Sequence, residues 1–257
     1  MARVVVAASA VIVAAGLCCG DVAERFGGGP PAGESRFVTA SSLHLRADAS
    51  AASASLVEMP RGATVVVTDG PRTADTALGI TGEWVPVWYG GQRGYAFDGF
   101  LLPVKPPPER CIGLQQWAET IGYAGPAVPL GSTPCQQMGI GTEGMCDENR
   151  RQPLAGGGFH QVNSGYEWGS DTLHLVGVRR DAVWAAARAC FAGPPDLRKE
   201  PLPTVGGEVP RLQFPDGTVT AQVDGQKAGW EYPQGCWSYV YVTQVGDDVE
   251  IISGGGC

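Results

Sequence analysis

At 257 residues the chain is long enough for one or two domains with cores of their own. With Gly 38, Pro 20 and only 17% charged residues, turn-rich β structure is expected, and the formal charge of −8 argues against nucleic acid as a partner, because binding phosphates needs a basic stripe. The acidity is uneven: residues 111–257 hold 16 Asp and Glu against 9 Lys and Arg, whereas residues 36–104 hold 6 against 5.

The N-terminus points to export. "MARVVVAASAVIVAAGLCCGD" has one Arg at position 3 and an apolar run from Val4 to Leu17. That run suits the h-region of a secretory signal and is short for a membrane span. Ala14 and Gly16 allow ordinary cleavage before Leu17. Cys18 or Cys19 instead allows lipidation, as in bacterial lipoprotein signals, although the residue before either cysteine departs from the usual Gly, Ala or Ser. Both processing routes stay open, and a lipid on Cys18 or Cys19 is the one membrane attachment expected. Residues 1–19 are read as the signal and the Gly/Pro-rich residues 20–35 as a flexible tether.

From Arg36 to Val104 short strand signals alternate with turn chemistry: Phe37–Thr39, Leu43–Arg46, Ala63–Thr68, Trp84–Trp88 and Gly94–Phe97. Asp48–Ser55 reads as a crossing loop. Gly90-Gly91 suits a tight hairpin, since glycine reaches positive φ without a Cβ clash. Pro86 inside "EWVPVWYG" predicts an edge position or a bulge, because proline cannot donate to a ladder. Many short strands with little helix predict a small closed barrel.

The succession "LHLRADAS…LVEMPRGATVVV…GEWVPVWYGGQRGYAFDGFLLP" resembles bacterial SH3-like (SH3b) domains. Leu43, Leu45 and Arg46 match the opening strand, Gly62, Val65 and Val67 the middle one, and Trp84, Gly94, Tyr95, Phe100 and Leu101 the ending. It departs at His44, where Asn is usual, at Tyr95, where Trp is common, and in the polar insertion Asp69–Thr81. The resemblance implies a module that binds cell-wall peptide or glycan, or an envelope protein. Trp88, Tyr89 and Tyr95 are the candidate ligand-binding aromatics; the plainer reading has Trp84 and Tyr95 filling the barrel and His44 in solvent.

Pro103–Arg110, with residues 105–110 as its core, reads as a stiff Pro-rich linker. The remaining cysteines, Cys111, Cys135, Cys146, Cys190, Cys236 and Cys257, all follow it. Six in an exported chain predict three disulfides, with the pairing open and a Cys135–Cys146 staple as one option. No metal is expected, for there is no C-x-x-C pair and only three His are present. "CIGLQQWAETIGY" predicts a short helix burying Leu114, Trp117, Ala118 and Ile121. Residues 131–158 are Gly-rich and read as a long loop, with Glu143, Asp147 and Glu148 solvated. "DTLHLVGV" reads as a strand, and "RDAVWAAARACF" as a helix capped by Asp181 with Val183, Trp184, Ala187, Cys190 and Phe191 in one stripe. Asp-Gly turns at "PDGT" and "DGQK" and a final hairpin turning at Gly246-Asp247-Asp248 complete a disulfide-braced α+β domain over 111–257.

The start of that domain also resembles the nucleophile helix of bacterial cell-wall cysteine peptidases with a papain-like fold. That resemblance implies Cys111 as nucleophile and His174 as its base, since a thiolate is favoured at a helix N-terminus. Against it, Ile112 stands where the family has Ser, and no third orienting residue follows His174. No G-x-S-x-G, H-E-x-x-H, phosphate-loop or EF-hand pattern is present, and no cofactor is called for. The sequence therefore predicts a mainly β, non-enzymatic exported protein, with the peptidase as the alternative.

Overall fold

A computed structural model describes residues 31–134, 145–191, 196–204, 207–208, 211–214, 217–234 and 236–256. The signal segment with Cys18 and Cys19, most of the tether, Cys135, Glu143 and Cys257 lie outside the described residues, as do the side chains of Cys146 and Cys236. Among the described residues the fold is mainly β: two antiparallel sheets and two short α-helices.

The first sheet holds β1 (Glu34–Val38), β2 (Ser42–Arg46), β3 (Ser55–Pro60), β4 (Thr64–Val67), β5 (Thr73–Ala77), β6 (Ile80–Tyr89), β7 (Gln92–Phe97) and β8 (Leu101–Leu102). Their order is β3-β2-β7-β6-β4-β1-β8, with β5 added beside β6. Leu43 and Leu45 are buried while His44 and Arg46 are half-exposed, the alternation of a strand with one face on a core. Met59 of β3 and Leu101 of β8, from opposite ends of the strand order, belong to one cluster with Val38, Val65, Val85, Val87 and Ala96. The sheet therefore curls around a single core.

Five expectations change here. The tether ends sooner, because Glu34 and Ser35 already pair with Val67 and Val66. Ser55–Pro60 is a strand, paired with β2, in which the apolar Leu56 is exposed on the side of Glu58 and blurs the alternation with Val57 and Met59. The Asp69–Thr81 insertion supplies β5 and the turn into β6, with which β5 forms a hairpin. Pro86 is interior, with β7 on one side and β4 and β5 on the other. Its carbonyl accepts from Thr68 N at 2.9 Å, so its missing N–H falls where β4 has ended and β5 has not begun. Trp84 is buried on the face opposite Val85, in a separate cluster with Ile80 and Phe97 against which Tyr95 and Ala185 pack.

The second sheet holds β9 (Val128–Pro134), β10 (Met145–Pro153), β11 (Phe159–Gly165), β12 (Trp168–Leu175), β13 (Arg211–Phe214), β14 (Gly217–Asp224), β15 (Lys227–Gln234), β16 (Cys236–Val245) and β17 (Asp248–Gly256). The order is β13-β14-β15-β16-β17-β12-β11-β10-β9. The helices are α1 (Leu114–Ile121) and α2 (Arg180–Ala187). Leu114, Trp117 and Ala118 of α1 and Val183, Trp184 and Ala187 of α2 are buried against Leu173, Leu175, Trp230, Val240, Val242 and Ile251. Both helices thus cover one face, called inner below. Asp181 does not cap α2: Arg179 holds the N-cap position without a side-chain bond, and Asp181 stands in the first turn, where its charge still suits the helix dipole. Of the predicted loop 131–158, residues 131–134 belong to β9 and residues 145–153 to β10, strands with few buried apolar residues to announce them.

Pro103–Arg110 is no free linker. Pro106 and Pro107 are buried, and Val104 and Leu102 join the core of the second sheet. Trp117 Nε1 donates to Lys105 O at 2.8 Å, and Arg61 Nη2 to Pro107 O at 2.9 Å. Arg179 of the second unit reaches Asp98 of the first at 2.8 Å.

Candidate functional site

Of the three aromatics singled out in the first unit, two share a surface. Opposite Trp88 stands Arg93, and opposite Tyr95 stands Pro86, so Trp88 and Tyr95 lie diagonally on one face. Tyr89 is on the other face and packs against the inner core. Trp88 and Tyr95 are half-buried. His44 meets Ser55 Oγ at 3.0 Å.

Cys111 and His174 are not brought together. Cys111 is bonded to Cys190 and is 2% exposed. It packs in the cluster that contains Leu173 and Leu175, whereas His174 between them projects from the opposite face of β12. There its ring stacks on Phe159 at 4.8 Å, with Nε2 at 3.2 Å from Asp248 and Nδ1 at 3.2 Å from Glu250. The Asp248 carboxylate is held below its usual range, first by the Gly177 backbone N–H at 2.9 Å and then by His174. A thiol consumed in a buried disulfide offers no thiolate for attack.

The face carrying His174 holds the more telling surface. No described helix packs on it. Along β16, Trp237, Tyr239 and Tyr241 alternate with the inner Val240 and Val242, so all three rings rise from one side. Trp237 and Tyr239 stand 5.4 Å apart and Tyr239 and Tyr241 5.3 Å, with interplanar angles of 9° and 29°. Burial falls along the row: Tyr241 is 7% exposed, whereas Trp237 is 49% exposed. Lys227 covers Tyr241 with Nζ 3.8 Å from the ring centre, and the Tyr241 hydroxyl donates to Glu231.

The register fixes what lies beside the rings. Trp237 opposes Gly256, which opposes Trp168 on β12; Tyr239 opposes Gly254, which opposes Ser170. Two exposed tryptophans, Trp168 being 43% exposed, therefore flank one glycine strand. The glycines are required by the rings: a Cβ at Gly254 would come within 2.7 Å of the Tyr239 hydroxyl, and one at Gly165 would lie inside the Trp168 indole. Past Trp168 the same face turns polar. Arg151 Nε donates to Gln161 at 2.9 Å, Gln161 to Asn163 at 2.9 Å, and Asn163 to Ser170 at 3.2 Å. Exposed ring faces beside a row of amides and hydroxyls can stack on an apolar ring surface and hydrogen-bond the hydroxyls around its edge.

The sequence reading missed this surface. "CWSYVYV" carried the signal, a period-2 placement of Trp237, Tyr239 and Tyr241, but the partner Trp168 comes from a strand far away in sequence. Among the described residues no group of His, Cys, Asp and Glu could hold a metal ion, and no helix is long and apolar enough to cross a membrane. Compared with known proteins, the chain matches no family model, no curated protein and no solved structure.

Proposed function

We propose that this protein works outside the cytoplasm as a non-catalytic binder of envelope glycan. Its first unit acts as an SH3-like module, and its disulfide-braced second sheet presents the aromatic face to the polymer. The observation that carries the reading is the open face of Trp168, Trp237 and Tyr239 over glycines, edged by the Gln161–Asn163–Ser170 network. A contiguous apolar patch rimmed by polar groups marks an interaction surface, and a sugar offers both the apolar ring face and the hydroxyls that match it. The SH3-like reading of the first unit is supported by the curled sheet around Leu43, Leu45, Val65 and Leu101, positions the resemblance uses. Export is supported by the apolar run after Arg3 and by the Cys111–Cys190 disulfide, a bond that persists in oxidising compartments. The disulfide also speaks against a peptidase that attacks through Cys111.

The reading is tested by co-sedimenting the full chain with purified peptidoglycan. A Trp168→Ala/Trp237→Ala double variant is expected to bind about ten-fold more weakly or worse. Binding unchanged in that variant removes the aromatic face from the account, and retention by an envelope protein fraction but not by peptidoglycan replaces the glycan with a protein.

A further inference from the structure

A second concavity opens on the inner side of the same sheet, past the edge of α1. It is a cleft of about 350 Å³ whose lining includes Glu119 of α1, Tyr123 just after it, Arg150 of β10 and His160 of β11. Arg150 and His160 face it because they alternate with Arg151 and Gln161, which form the network on the outer face.

The floor is an ordered chain of polar groups. His160 is 4% exposed; its Nδ1 lies 3.1 Å from the Tyr123 hydroxyl and its Nε2 3.4 Å from Asp171 Oδ1. Nε2 has no hydrogen-bond partner, only that carboxylate at a slightly longer range. In the tautomer whose N–H sits at Nε2, on the Asp171 side, Nδ1 accepts the Tyr123 hydroxyl hydrogen. The Tyr123 oxygen is then left with lone pairs to offer the cleft. Burial, with Glu119 and Asp171 nearby, pushes the Tyr123 phenol up, so it stays neutral and keeps that hydrogen.

The walls carry opposite charges that do not meet. The Arg150 side chain has no hydrogen-bond or ion-pair partner among the described residues. Glu119 accepts at Oε1 from Gln115 Nε2 at 2.9 Å and forms no salt bridge there either. An unpaired guanidinium and a carboxylate lining one small cleft call for a ligand that carries both charges.

We propose that this cleft binds a small zwitterion with an ammonium and a carboxylate group, the simplest being a free α-amino acid. The carboxylate rests on Arg150, and the ammonium lies between Glu119 and the Tyr123 oxygen that His160 and Asp171 hold in place. The site lies on the opposite side of the sheet from the aromatic face, so it stands or falls independently of glycan binding.

The test is calorimetric titration of the full, oxidised chain with L-alanine, D-alanine and L-glutamate, and with N-acetylalanine and alanine methyl ester as blocked probes. Saturable binding by at least one free amino acid is expected. It should weaken about ten-fold or more when either charge of the probe is blocked. Arg150→Gln and Glu119→Gln should each cause a comparable loss, and Tyr123→Phe a smaller one, with the melting temperature of each variant unchanged. Three free amino acids that fail to saturate, blocked probes that bind as well as free ones, or folded Arg150→Gln and Glu119→Gln variants that bind normally would each overturn the assignment.

Discussion

Cys111, at the entrance to α1, is bonded to Cys190, in the turn that closes α2, across 79 residues of sequence. The bond ties the two helices that cover the inner face of the second sheet to each other, inside the core they form with Leu173 and Leu175. Closing a loop of that length removes enough freedom from the unfolded chain to stabilise the fold by about 4–5 kcal/mol. Cys111→Ser/Cys190→Ser should therefore lose stability on that scale in guanidinium unfolding, and iodoacetamide should leave Cys111 unlabelled in the unreduced protein. A readily alkylated Cys111 together with undiminished stability in the double variant would contradict the brace.

His174 and Asp248 give the second sheet an acid-sensitive corner. Asp248 is held below its ordinary value by Gly177 N–H first and His174 second. A carboxyl with a depressed folded pKa adds stability that is complete above its unfolded value and is lost as pH falls through the folded one. The loss therefore lies below about pH 4, where Asp248 takes up its proton and the contact with Gly177 weakens. Urea midpoints should fall more steeply in the wild type than in Asp248→Asn over that range. Parallel acid limbs for the two proteins would show that Asp248 adds nothing.

Elements with one apolar face were legible in the sequence, and elements without one were not. Leu43 and Leu45, Trp117 and Ala118, and Val183 and Trp184 announced β2, α1 and α2 by period alone. β10 is mostly Asp, Glu, Asn, Arg and Gln, and the two apolar side chains of β9, Val128 and Leu130, are exposed; the place of these strands comes from backbone pairing of β10 with β11 and of β9 with β10, which no local pattern encodes. The Gly90-Gly91 turn was readable, with φ of 57° and 82°. The candidate sites were the least legible part. Trp168 faces Trp237 only through the β12–β17–β16 register, and His160 meets Tyr123 and Asp171 only because α1 ends where β11 passes. His174, readable as a strand residue, proved to be one on the face away from Cys111.

The register also makes the glycines of β17 testable. A Cβ at Gly254 would lie 2.7 Å from Gly169 O and 2.8 Å from Ser170 Cβ, besides crowding the Tyr239 hydroxyl. Gly254→Ala must shift backbone as well as the ring, an overpacking that costs about 1–3 kcal/mol. It should therefore lower both stability and peptidoglycan binding, whereas Trp237→Ala, at a half-exposed ring, should lower binding with stability changed by about 0.5 kcal/mol or less. Paired thermal melts and co-sedimentation separate the two effects. Full binding by a folded Gly254→Ala protein would mean that the position of Tyr239 is immaterial to the ligand.

The β5–β6 hairpin turns at Leu78 and Gly79, both at positive φ, 53° and 77°. That is the geometry of a type I′ turn, and leucine is poorly suited to its first position, where a Cβ crowds the backbone and asparagine is tolerated better. Leu78 draws little compensation from packing, being 91% exposed. Leu78→Asn replaces the strained residue with the pair Asn-Gly that two-residue hairpins favour, and it removes a lone apolar side chain from solvent. A gain of about 0.5–1 kcal/mol is expected in urea unfolding. Leu78→Val should go the other way, since β-branching makes the left-handed region more costly still. If Asn destabilises instead, Leu78 is held by a contact stronger than its strain, and the cavity beside it, lined by Ile80, Trp184 and Leu202, is where that contact would have to form.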